Sequence, residues 1–374
     1  MKAGWEIKAF ENCIEKVTYT PKIQRKDFLD DGIYPIVSQE DAFINGYWNN
    51  EADLFKVETP IVIFGDHTKV LKYVDFDFVL GADGVKILKP KNFLLPKFLF
   101  YRLQSETLDS LGYARHYKLL KELQISYPEK SEQQRIVAIL DEAFESIATA
   151  KANTEQNLKN ARALFDSYLH EVFSQRGDGW EEKLLVEIAK DFGRGKSKNR
   201  PRNDPKLYGG KYPFIQTGDI RNATHLITSY TQTYNETGLA QSKLWAKGTV
   251  CITIAANIAE TAILDFDACF PDSVIGITVD ENKANNKFLE YLLQSFKAHL
   301  QAQGKGSAQD NINMGTFEYQ LFPFPSLKEQ TEVVIKLDIL QKETQRLESL
   351  YQRKITALDK LKKSLLHRAF TGEL

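Results

Sequence analysis

Cysteine is scarce: the chain holds three, Cys13, Cys251 and Cys269, and none sits in a CxxC pair. That argues against a disulfide framework and against a thiolate zinc site, and fits a reducing, cytoplasmic setting. No run of 18 apolar residues occurs, so no membrane contact is expected. The opening MKAGWEIKAF lacks the apolar core of a secretory signal. Net charge is almost absent, −1 over 374 residues, so the molecule as a whole is no general polyanion binder. Any nucleic-acid surface must be local and offset by acid elsewhere. The six histidines are scattered without an HxxxH pair for a metal. What remains is ordinary for a globular protein of two or three domains, with 26% charged and 43% hydrophobic residues.

The most informative feature present is an internal repeat. Two 43-residue segments, 131–173 and 328–370, align without a gap at an offset of 197 and share ten identical positions. The identities cluster at the ends: Glu-Gln, Val and Leu-Asp at the start, Leu, Ser, Leu-His and Phe at the finish. Neither segment contains Gly or Pro, and Pro128 and Pro325 stand just before them. Apolar residues recur at spacings of three and four, as in Leu140, Phe144, Ile147 or Leu337, Leu340, Leu347, and later Tyr351, Leu358, Leu361, Leu365. This is coiled-coil spacing and predicts two long helices forming an antiparallel pair. His170 and His367 recur near the helix ends and read as structural. The regions before the helices repeat more loosely. Trp5 recurs as Trp180, Tyr34-Pro35 as Tyr212-Pro213, DFDF (75–78) as DFDA, and KFLFYRLQS (97–105) as KFLEYLLQS at an offset of 190. Short β-branched and aromatic runs between Gly, Asn and Asp predict strands and turns there, each region ending on one amphipathic helix. The second such helix should begin near Asn285 and bury Phe288, Leu292 and Phe296. The fold class is therefore α+β: a globular domain over 1–130, a long helix over 131–175, a second globular domain over 176–327 and a second long helix over 328–374.

Three motifs imitate catalysis and fail on context. GRGKS (193–197) resembles the Lys-Ser end of a P-loop, but the required earlier Gly is Lys190 and NRPRNDP follows in place of an apolar helix. Asp272, Glu281 and Lys283 imitate a Mg²⁺ nuclease core, without an acid-x-Lys counterpart in the first half. Asn203-Asp204-Pro205-Lys206 lacks the paired Pro and aromatic residue that would grip a flipped adenine. Binding chemistry is better represented. Seven basic residues and one acid lie between Arg194 and Lys211, and Arg194, Lys196, Lys198, Arg200 and Arg202 are candidates for DNA phosphates. The first half offers only Lys22, Arg25 and Lys26 after Pro21. GYARHYKLL (112–120) places Arg115, His116, Tyr117 and Lys118 together, mixing stacking with phosphate binding. GKGSAQDNI (304–312) places Lys305, Gln309 and Asn311, a cation and two amides able to bond adenine.

These features together resemble one family, the specificity subunit of type I restriction–modification systems. SEQQRIVAILDE and LKEQTEVVIKLD, each shortly after a proline, carry the resemblance, with the endings SYLHEVF and SLLHRAFTGEL and the loops GYARHYK and GKGSAQDNI. It covers nearly the whole chain. The resemblance implies two target-recognition domains, each reading half of a split double-stranded DNA sequence, on an antiparallel pair of helices. It implies two methyltransferase subunits and further restriction/translocase subunits as partners, with S-adenosylmethionine, ATP and Mg on those partners and no cofactor or catalytic residue here. A rod of 43 residues is roughly 65 Å, or roughly 19 base pairs, an outer limit for the spacing of the half-sites. The competing expectation is a coiled-coil scaffold with two protein-binding domains, which predicts no salt-sensitive duplex affinity.

Overall fold

The apolar run Ile61–Gly65 is a strand with all five residues buried. Its alternate side chains point to two different cores, as the pleat requires. Ile61 and Ile63 join Val37, Phe78, Leu80 and Val85, while Val62 and Phe64 join Phe98, Leu99 and Leu140. The strand therefore sits between a second sheet and a helical layer, which explains why it reads as a continuous hydrophobic run. Residues 4–374 of the computed structural model are described here, apart from 82–83, 113, 199–200, 256–257, 298–299 and 301–313. The chain divides into two compact units, residues 1–156 with 351–374, and residues 157–350. Each holds one globular domain and a stretch of both long helices. No helix among the described residues is long and apolar enough to cross a membrane.

The two units repeat one central topology, each with one added strand of its own, Lys22–Ile23 on Phe78–Gly81 in the first and Leu226–Ile227 on Thr261–Leu264 in the second. In the first, Tyr34–Val37 pairs antiparallel with Gly46–Trp48 and parallel with Phe78–Gly81, which also takes Leu54–Phe55 antiparallel. In the second, Tyr208–Phe214 pairs antiparallel with Gln232–Tyr234 and parallel with Ala268–Cys269, which takes Leu244–Trp245 antiparallel. The other sheet centres on Val85–Pro90 beside Ile61–Gly65 in one unit, and on Val274–Val279 beside Val250–Thr253 in the other. Cys251 stands where the first unit has Ile63, inside the core between the sheets. All three cysteines are buried and unpaired. Burial pushes each thiol up, so they act as small apolar fillers.

The long helices span Lys130–Ser174 and Leu327–Thr371. In the first unit Arg135 donates to the Leu374 carbonyl at 2.8 Å and Lys151 pairs with Asp359 at 2.8 Å, which makes the helices antiparallel there. In the second, Arg162 pairs with Glu348 at 3.1 Å. Gly372, with φ +86°, ends the second helix, and the Glu373 amide donates back to the Arg368 carbonyl at 2.9 Å. The shorter helix Asn286–Ser295 begins as expected. Its cap Asn285 accepts from the Lys287 and Phe288 amides, and Phe288 and Leu292 are fully buried.

The identical positions of the two long helices are explained mostly by how they dock. Gln133, fully buried, accepts from the Leu95 amide at 2.8 Å and donates to the Phe93 and Pro128 carbonyls. Gln330 accepts from the Asn285 amide at 2.8 Å and donates to the Pro325 and Lys283 carbonyls. Asp141 binds Lys97 and the Tyr101 hydroxyl, and Asp338 binds Lys287 and the Tyr291 hydroxyl. At the far ends, Phe370 packs on Phe98 with ring centroids 5.3 Å apart and Phe173 on Phe288 at 5.4 Å. Each short helix, Pro96–Gln104 or Asn286–Ser295, is thus gripped by the start of one long helix and the end of the other. One expectation is corrected here: Leu361, assigned to the apolar seam, is 47% exposed, as its counterpart Leu164 is at 61%. His170 and His367 are exposed, each four residues before the end of its helix.

Candidate nucleic-acid interface

The strand Ala189–Arg194 pairs with Val274–Val279 and then delivers the basic loop of the second unit. Among the described residues no long helix follows it and the next regular element is a single turn at Pro205–Leu207, so the phosphate cradle of a P-loop does not form. The loop is instead pinned to the turn before Val274. A Cβ on Gly195 would lie 2.3 Å from the Phe270 carbonyl oxygen and 2.4 Å from that of Pro271, so only glycine lets the backbones approach. The Arg194 guanidinium donates to the Asp272 carbonyl at 2.8 and 2.5 Å, and Arg202 pairs with the Asp272 carboxylate at 2.7 Å. The Lys198 amide donates to Gln241 at 2.6 Å, and Ser242 donates to the Lys196 carbonyl at 2.8 Å. The backbone from Arg194 to Lys198 is held while the Lys196 and Lys198 side chains stay exposed.

The nuclease imitation is dismantled by the same geometry. Asp272 is engaged by two arginines, Glu281 pairs with Lys190, and Lys283 donates to the Glu187 carbonyl at 3.0 Å. Asp272 and Glu281 stand at opposite ends of the strand Val274–Val279, which is about 20 Å long at about 3.3 Å per residue. They cannot share a metal ion.

Below the basic loop lies a cleft of about 380 Å³ floored by Tyr208 and Phe214 and edged by Arg202, Asn203, Gln216 and Gln232. The Tyr208 hydroxyl donates to the Arg202 carbonyl at 2.7 Å, and burial pushes its pKa up to about 12, so it stays a neutral donor. Gln216 donates to Gln232 at 2.8 Å across the cleft.

In the first unit the loop at 112–118 is held from below by Asp66. Its carbonyl accepts from the His116 amide at 2.7 Å, its carboxylate from the Tyr117 amide at 2.7 Å, and Lys86 lies 3.7 Å away. His116, a candidate for the DNA surface, is only 1% exposed. Its Nε2 accepts from the Leu111 amide and its Nδ1 donates to the Asp66 carbonyl, each at 3.0 Å, so both nitrogens are spent on the loop. Tyr117, expected to stack on bases, is half-buried with its ring against Phe10 and Phe64. Burial raises its pKa. Both are corrected to positioning residues. Arg115 and Lys118 are exposed on this support. Arg25 and Lys26 occupy a separate exposed turn, where Arg25 pairs with Glu40 at 3.0 Å and covers the Phe28 ring. Arg200, Lys305, Gln309 and Asn311 lie outside the described residues. Sequence reasoning missed Gln216 and Gln232, whose only sign is that they are amides. It also missed the roles of Gln133 and Gln330, although their identity in the repeat marks them.

The sequence profile of the family described as "Type I restriction modification DNA specificity domain" matches residues 3–160 and 177–357. The specificity subunit of the type I restriction enzyme EcoR124I/EcoR124II of Escherichia coli is 25% identical over 340 residues, 84% of this chain and 81% of that one. The StySPI specificity subunit of Salmonella potsdam is 21% identical over 424 residues, 99% of this chain and 89% of that one. Among solved structures, one from a study of complex assembly and conformational transition of the type I R-M system covers 100% of this chain and 99% of its own. Its TM-score is 0.76 at 18% identity. The HsdS subunit from Thermoanaerobacter tengcongensis covers 100% and 98%, with a TM-score of 0.60 at 19% identity. These two share the fold. Matched in both halves, the chain belongs to the type I restriction modification DNA specificity family, as a non-catalytic specificity subunit.

Proposed function

We propose that this chain reads a bipartite, asymmetric sequence in double-stranded DNA and directs adenine methylation and DNA cleavage by partner subunits. The observation that carries the reading is one architecture built twice with unlike loops. The central strand pairings and the docking contacts repeat, whereas the basic loop after Arg194 has no equal in the first unit. A common frame with different readers serves a target whose halves differ. Arg25, Lys26, Arg115 and Lys118 in one unit and Arg194, Lys196, Lys198, Arg200 and Arg202 in the other supply phosphate contacts that position each half. Lys305, Gln309 and Asn311 belong to the base-reading side of the second half.

Two methyltransferase subunits and restriction/translocase subunits are the partners, a reading in line with a structural relative from a study of type I R-M complex assembly. The exposed identities Leu164, Ser167 and His170, repeated at Leu361, Ser364 and His367, support two copies of one partner, since identical surfaces suit identical contacts. S-adenosylmethionine, ATP and Mg²⁺ act on those partners, in the cytoplasm. The paired long helices set the spacing. Deleting one heptad from the middle of each should shorten the unread spacer of the methylated target by about 3 base pairs, from about 1.5 Å per residue and about 3.4 Å per base pair. Mapping methylated adenines in cells carrying the shortened chain measures this. A spacer of unaltered length overturns the ruler.

A further inference from the structure

The two units place different side chains at one equivalent point of the frame. Phe214 pairs with Gln232 on one side and with Cys269 on the other, just as Ile36 pairs with Gly46 and Val79. The ladders therefore put Gln232 where the first unit has Gly46. Two residues beyond the paired strand, Gln216 takes the place of Ser38, which is buried and accepts from the Glu40 amide. The second unit thus has a pair of amides at the point where the first has no reaching side chain at all.

We propose that Gln216 and Gln232 form the adenine-reading element of the second unit, the cleft over Tyr208 and Phe214 receiving the major-groove edge of an adenine in its half-site. This rests on the DNA-reading function proposed above and names a component of its specificity. The chemistry follows from the pair. Gln216 Nε2 donates to Gln232 Oε1 at 2.8 Å. Joined head to tail, the amides leave one oxygen and one NH₂ group unspent among the described residues, whichever way both are turned. Adenine offers N6–H as donor and N7 as acceptor in the major groove, and an amide oxygen beside an amide NH₂ complements that pair. Guanine presents two acceptors there and would set its O6 against the amide oxygen. The surroundings suit a base edge rather than a small metabolite. Arg202 and Asn203 line the mouth, the basic loop from Arg194 runs above it, and Gln232 lies on an edge strand open to solvent. A duplex held by its phosphates at the loop brings a base edge to the amides.

The test is an adenine-methylation map of host cells carrying the full chain with its partner subunits, comparing wild type with Gln232→Ala and Gln216→Ala. The Gln232 variant carries the decision, because that strand pairs through its backbone and the side chain is exposed. The expected result is a motif whose first-unit half and spacer are unchanged, while one adenine in the other half loses its preference by roughly tenfold or more. An unchanged second half in Gln232→Ala, or a relaxation in the half read by the first unit, overturns the proposal. A wild-type map with no split motif removes the functional reading itself, which is a different failure from an unrelaxed one.

Discussion

Replacing Gln133 or Gln330 by Leu should cost about 3–5 kcal/mol of stability, more than any exposed ion pair of the chain. Each side chain is fully buried and satisfies three backbone groups: an amide and two carbonyls on either side of the helix start. Leucine fills the space and leaves all three unsatisfied, at about 1–3 kcal/mol each before relaxation. The loss should be local. Hydrogen exchange should rise at Phe93–Leu95 in Gln133→Leu, and at Lys283–Asn285 in Gln330→Leu. Chemical denaturation reads the total. A cost below about 1 kcal/mol for both, the value of one ordinary hydrogen bond, would mean that docking does not run through these amides.

The second large effect is a pH dependence found in one unit. His225 Nδ1 lies 2.7 Å from Glu290, which is 0% exposed. Glu290 also accepts from Thr261 at 2.9 Å and from Gln294, and His225 Nε2 meets Gln341 on the second long helix. Tyr291 stands edge-on to the imidazole at 4.7 Å, and Lys287 is the charged neighbour that opposes protonation. Burial by itself lowers the pKa of His225, and the Glu290 carboxylate outweighs it, so the net shift is upward. A histidine raised above its unfolded value contributes stability that is complete below about 6.5 and is lost as pH rises through the folded pKa. Glu290→Ala strands the imidazole in a buried site and should cost about 3–5 kcal/mol at pH 6. The difference from wild type should shrink toward pH 9. A gap that does not change with pH would show that the pair is held as a neutral hydrogen bond. The first unit is the control. Phe100 and Phe144 stand where Glu290 and Gln341 do, and Tyr101 meets Phe144 edge-on at 5.2 Å.

The helical half of the architecture was legible because helices are local. Spacings of three and four, the missing Gly and Pro, and the flanking prolines mark the long helices, and Asn285 marks the start of the shorter one. The repeat exposed the two-fold construction, and it even pointed to Gln133, Asp141, Phe173 and their counterparts. What each identity does was hidden, because each has a partner about 40 residues away or more, as Asp141 does in Tyr101. The site was read less well for the same reason. Arg115-His116-Tyr117-Lys118 looks like one cationic cluster on paper. Asp66, 50 residues earlier, turns His116 inward. Gln216 and Gln232 are brought together by the register of Phe214 on Gln232, which no local pattern specifies. Leu361 followed the apolar spacing and faces outward nonetheless, since Leu365 and Leu366 carry the packing beside it.

The central claim is that two unlike readers on one frame recognise a split target. The direct measurement is a genome-wide map of N6-methyladenine in the host, with and without this gene. The account predicts that one bipartite, asymmetric motif loses its methylation in the deletion and no other motif changes. An unchanged map, with the partner methyltransferase expressed, would contradict it.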